Sequence, residues 1–164
     1  MSDFSSRVSA ITAGKPQTIL MISPEVMKMP LSVKRYDDPF LPFGRLVIGA
    51  TRGLLCGYLY DFTKYLALGA AGAIALERTI AYAGSGVLNV LHGPFAHTDF
   101  MTITDETAFN ADGLTTTSID ALGTTRTDRG VFVLQDDQLR CGDYTFNVAS
   151  ENVLYANFGD DYAD

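Results

Sequence analysis

Two histidines and a nearby aspartate, His92, His97 and Asp99, offer side-chain types that commonly hold a metal ion. Their arrangement argues against that chemistry. The His-x4-His spacing falls on a segment carrying Pro94, it matches no recognised ligand pattern, and the chain has no third histidine. No metal is expected. Ser23 and Cys56 are candidate nucleophiles, but neither stands in a context that supplies a base, and a lone cysteine in an apolar run usually behaves as an inert small hydrophobe. Cys56 and Cys141 have no redox or metal spacing, so no disulfide is expected. The glycines of Gly69-Ala70-Ala71-Gly72 fall inside a helical pattern, where they permit close packing. A phosphate loop needs them between a strand and a helix start, so no cofactor is expected.

The elements that must position these residues centre on Leu41 to Pro94. Phe62, Tyr65, Gly69, Ala73, Leu76, Ile80 and Ala83 recur every three or four residues, which predicts one long helix over Phe62 to Ala83. The apolar runs Leu54 to Tyr60 and Val87 to Leu91 flank it and suit strands buried on both faces of a parallel sheet. Upstream, Phe4 to Ala13 reads as a short helix and Thr18 to Ile22 as the first strand. Pro24, Pro30, Pro39 and Pro42 predict an extended connection before a helix over Phe43 to Arg52. Downstream, Gly113 to Thr117 and Val131 to Leu134 read as strands. From Gln135 the pattern changes to hairpin-like runs: Asp136-Asp137 separates β-rich stretches, Tyr144 to Val148 alternates with period two, and Val153 to Phe158 follows a polar break.

Tyr58, Tyr60, Phe62, Tyr65 and Tyr82 give the central unit a large aromatic area, read first as core and second as contact surface. With 164 residues, 47% of them apolar, the chain can bury one sizeable core. No apolar run reaches membrane-spanning length and the first residues lack an apolar signal region, so a soluble, intracellular, cytoplasmic protein is expected. A net charge of −7 argues against nucleic acid as a partner. The charge is uneven: residues 1–99 carry nine Lys/Arg and seven Asp/Glu, residues 100–164 three and twelve. A solvated acidic surface is the commoner meaning of such a bias; docking of a basic partner is the sharper one.

Several blocks, in order, resemble the longer bacterial subfamily of orotidine 5′-phosphate decarboxylases. They are MISPEVMKMP from Met21, FGRLVIGATRG from Phe43, CGYLYDFTKYLALGAAGAIALERTIAY from Cys56, VLHGPFAHT from Val90, ADGLTTT from Ala111 and RGVFVL from Arg129. The resemblance covers roughly residues 4–134 and is most specific at ALERTIAY. It implies a (βα)8-type barrel, which typically takes about 200 residues or more, so the expected fold is an incomplete or remodelled α/β barrel. The expected organisation is a decarboxylase-like partial barrel over 1–134, a β-hairpin-like appendage over 135–158 and a flexible acidic tail over 159–164.

The family's charged functional positions do not carry over. Ser23 stands where the resemblance implies a substrate-binding aspartate and Leu59 where it implies a lysine. His92, Pro94 and His97 stand where it implies the Asp-Lys-Asp group that strains the substrate carboxylate and supplies the proton. The phosphate-binding loops after the family's last strands also have no counterpart. The expectation is a non-catalytic protein, with catalytic residues none, serving as an accessory subunit of a larger assembly. Its partner would be another protein, heteromeric by preference, with a homo-oligomer as the other option. The alternative is a small-molecule-binding or repurposed module using the relined pocket.

Overall fold

A computed structural model describes residues 4–95, 98–105, 108–117, 129–150 and 155. Its sheet is a closed barrel of seven strands in sequence order: β1 (Thr18–Ile22), β2 (Gly57–Asp61), β3 (Leu88–Phe95), β4 (Gly113–Thr116), β5 (Gly130–Gln135), β6 (Gln138–Cys141) and β7 (Tyr144–Ala149). The first five run parallel, β6 is antiparallel to both its neighbours, and β7 closes the ring parallel to β1 through Thr18↔Asn147 and Ile19↔Val148. Two tight reversals after β5 restore the original strand direction, so β7 can pair with β1 without a crossover helix. Asp136 and Asp137, at φ 53° and 59°, supply the left-handed pair that a two-residue hairpin prefers, and Gly142 at φ 57° serves the second turn.

This closure corrects two expectations. Residues 138–149 are barrel wall, not an appendage, although their hairpin character is as expected. The barrel also has no open edge between β1 and β7, because pairing rather than a partner satisfies those backbone groups. The run Val153 to Phe158, except Tyr155, and the tail 159–164 lie outside the described residues.

Strand alternation divides the core. Ile19, Leu59, Leu88, Val90, Phe132, Leu139, Phe146 and Val148 form one cluster, which α1 (Phe4–Thr12) joins through Val8 and Ile11. Leu20, Ile22, Tyr58, Tyr60, Leu91 and Leu114 belong to the other, with residues of α3 (Phe40–Thr51) and α5 (Ala70–Ala83). The first fills the barrel interior and the second packs helices on its outside, as period-two side chains require. Arg7 ties α1 to the barrel: Nε and Nη2 donate to the two carboxylate oxygens of Asp112 at 2.8 and 3.1 Å. The same guanidinium reaches the carbonyls of Ser85 and Val87.

The connection after β1 is less extended than its prolines suggest, because it contains a 3-10 turn (Val26–Lys28) and α2 (Leu31–Lys34). Pro42 falls in the first turn of α3, where its missing N–H removes no helical bond. The predicted long helix is broken into α4 (Phe62–Leu66) and α5. Gly69, at φ 64°, makes the break, and Gly72 packs against the backbone of Tyr65, leaving no room for a side chain. The break shifts the helical phase, so Leu76, Ile80 and Ala83 are buried as expected while Gly72, Ala75 and Thr79 take the places assigned to Gly69 and Ala73. Among the described residues no helix, α6 (Thr102–Asp105) included, is long and apolar enough to cross a membrane.

Candidate functional site

The carboxyl ends of β1 to β4 carry a polar tier above the apolar interior. Register sets it: Ile22 lies beside Tyr60, which places Ser23 beside Asp61, and Asp61 is paired with His92. Ser23 Oγ donates to Asp61 Oδ2 at 3.0 Å. His92 Nδ1 lies 2.8 Å from Thr115 Oγ1, and the same hydroxyl accepts from the Gly93 N–H at 3.2 Å. Asp61 also caps α4, its Oδ1 accepting the Lys64 N–H at 3.3 Å. Burial lowers the pKa of His92, and the Asp61 charge opposes that shift only in part, so the imidazole is neutral at neutral pH.

Above this tier lies a cavity of about 300 Å3. Asp61, Thr63, His92 and Gly93 line one side; Thr115, Thr116, Thr117 and Leu134 line the other. Asp61 is its single charged residue among the described lining. In parallel barrels this end is the one that carries binding chemistry, because the loops that follow the strands converge there.

The expected positions fare differently. Ser23 and His92 are in the tier. Leu59, one step below Asp61 on the same face of β2, is wholly buried in the apolar interior. Pro94 falls in β3 where the register to β4 shifts between Leu91 and Phe95, a place where a residue without an N–H is tolerated. His97 lies outside the described residues. Asp99 is exposed, and among the described residues no group of three metal-ligating side chains gathers. Cys56 is buried with its Sγ donating to the Pro16 carbonyl, and burial raises its pKa, as it raises that of Cys141 to about 11. Both thiols are free, and these shifts disfavour the thiolate a nucleophile needs.

Asp61, Thr63, Gly93 and the three threonines were not singled out in the sequence. Alternation could have found Asp61, since an inward Leu59 in a strand makes the residue two positions on inward too. Of the aromatics, Tyr58, Tyr60 and Tyr65 are core, while Tyr82 is 40% exposed and flanked by the guanidinium groups of Arg45 and Arg52.

No family model matches the chain. A curated orotidine 5′-phosphate decarboxylase of Herpetosiphon aurantiacus is 32% identical over 73 residues, 44% of this chain and 27% of the relative. Among solved structures, an orotidine-monophosphate decarboxylase of Leishmania donovani superposes with a TM-score of 0.65 at 17% identity, covering 91% of this chain and 70% of that one. The UMP synthase of the same organism gives 0.64 at 17% identity, over 92% of this chain and 39% of that one. A Streptomyces avermitilis protein assigned as an orotidine 5′-phosphate decarboxylase gives 0.65 at 19% identity, over 81% and 53%. The chain thus matches about a quarter of the curated relative's length, and the structural likeness establishes the barrel. In sequence over 73 residues, and in fold over most of its length, the chain is similar to orotidine 5′-phosphate decarboxylases.

Proposed function

We propose that this barrel does not decarboxylate orotidine 5′-phosphate and instead binds a small molecule at its carboxyl-end mouth. The observation that carries this reading is a polar tier in which Asp61, His92 and Thr115 line an open cavity and Ser23 is bonded to Asp61, with leucine rather than a cation beneath it. An apolar side chain at Leu59 cannot balance a substrate anion, Pro94 has no ammonium to deliver a proton, and Ser23 and His92 replace carboxylates. After β5 the described chain makes tight hairpins instead of the βα loops that could hold a phosphate.

Two measurements test this. Loss of absorbance with orotidine 5′-phosphate should stay at the uncatalysed rate; turnover above it overturns the non-catalytic part. A thermal-shift screen of small polar compounds should give hits that disappear in Thr117→Trp, which fills the mouth from an exposed rim position. Hits unaffected by that change would place binding elsewhere.

A second reading, an accessory subunit held by another protein, draws on different support from the strand edges that first suggested it. Val26, Met27 and Leu31 project from the connection after β1, with Met27 85% exposed, and apolar groups so placed suit a protein contact. Light scattering of the purified chain across concentrations, alone and with native extract fractions, tests it; a monomer throughout removes this reading.

A further inference from the structure

We propose that the ligand taken by the mouth is a small hydroxylated organic cation, a protonated amine, with Asp61 as its counter-ion. This deepens the binding reading given above and rests on it. Asp61 stands half-buried in the lining, and its carboxylate spends one acceptor position on Ser23 Oγ and one on the Lys64 N–H. An ionised carboxylate has about four such positions, so acceptor capacity is left for a ligand.

No lysine or arginine among the described lining residues balances that charge. Lys64, nearest in sequence, turns its Nζ to Glu25 Oε1 at 3.4 Å, and Lys28 occupies the other oxygen of Glu25 at 3.1 Å. His92 is neutral and so neither competes for Asp61 nor attracts an anion. A phosphate or carboxylate entering here would meet a carboxylate with no cation beside it among the described lining residues, whereas an ammonium would gain a charge-assisted hydrogen bond. The hydroxyls of Thr63 and Thr117 around the same cavity supply donors and acceptors suited to hydroxyl groups rather than to an apolar ring. This selects against anionic compounds such as the orotidine 5′-phosphate for which the relatives are named.

The test is calorimetric titration of the full chain with three compounds of one size: glucosamine below its amine pKa, glucose, and glucose 6-phosphate. The expected result is that glucosamine binds at least about tenfold more tightly than glucose, the scale of one charge-assisted hydrogen bond, and glucose 6-phosphate more weakly than either. In Asp61→Asn, which keeps an oxygen for the α4 cap, the preference for glucosamine over glucose should vanish. Equal binding of glucosamine and glucose, or tighter binding of the phosphate, overturns the cation assignment while leaving the mouth a binding site. Absence of saturable heat with all three, together with an empty thermal-shift screen, overturns the binding reading itself. The wild-type comparison decides between these outcomes even if the variant does not fold.

Discussion

The two ends of the barrel are built on opposite principles. At the amino end α1 contributes Val8 and Ile11 to the interior cluster, and Arg7 locks it in place against Asp112, itself 5% exposed. Asp112 also accepts the Asn89 N–H, so one carboxylate fastens a helix and two neighbouring strands. At the carboxyl end the interior stops at Leu59 and Val90, and the next inward side chains are polar and left beneath an open cavity. One end spends its charges on being closed; the other holds a charge without a cationic partner among the described lining residues. Function is free to vary at the second because stability is secured at the first.

The sharpest way to break this contrast is at the closing strand. Phe146 of β7 is fully buried in the interior, so Phe146→Ala should cost about 3–5 kcal/mol, the usual loss for a buried aromatic. Denaturant titration measures it, and a change under about 1 kcal/mol would mean the hairpin is an appendage after all.

Next in size is Arg7→Ala, which removes one partner of a buried pair and leaves Asp112 uncompensated. Such losses run to about 3–5 kcal/mol, and because Arg7 is itself 26% exposed the lower end, about 3 kcal/mol, is expected. A melt should show α1 signals lost with the rest of the barrel, since α1 fills its interior. Ligand affinity at the other end should be unchanged wherever the variant is folded.

At the carboxyl mouth the effects should be small on stability. Ser23→Ala removes one hydrogen bond to Asp61 and should cost no more than about 1–2 kcal/mol, while weakening glucosamine binding by loosening the carboxylate. A loss as large as that of Phe146→Ala would show that the tier is structural.

The smallest expected effect is on pH dependence. The folded pKa of His92 lies below its unfolded value near 6.5. Below that value the unfolded chain takes up a proton that the folded chain refuses, so stability is full above pH 6.5 and declines as pH falls toward the folded pKa. His92→Gln should flatten this part of the profile. NMR titration of the ring carbons checks the sign, and a His92 pKa above 6.5 would reverse it.

The sequence by itself determined several local elements, though not the break in the long helix at Gly69. Thr18 to Ile22 is β1 to the residue, α1 ends one residue short of expectation, and Tyr144 to Val148 is β7 but for one residue, because apolar periodicity over five to ten positions is set by the chain's own neighbours. It also drew attention to Ser23, Leu59 and His92, and of these Ser23 and His92 lie in the polar tier while Leu59 lies in the apolar interior. Tertiary structure alone decided closure. Val87 to Leu91, apolar on both faces, demanded cover, and periodicity cannot say whether a partner or the chain's own β7 provides the ring that encloses it. Pairing of Thr18 with Asn147 brings opposite ends of the chain together, and no local pattern encodes that meeting. The mouth has the same origin: Ser23, Asp61, His92 and Thr115 are ordinary residues in or just after four separate strands, and only barrel register sets them side by side beneath one cavity.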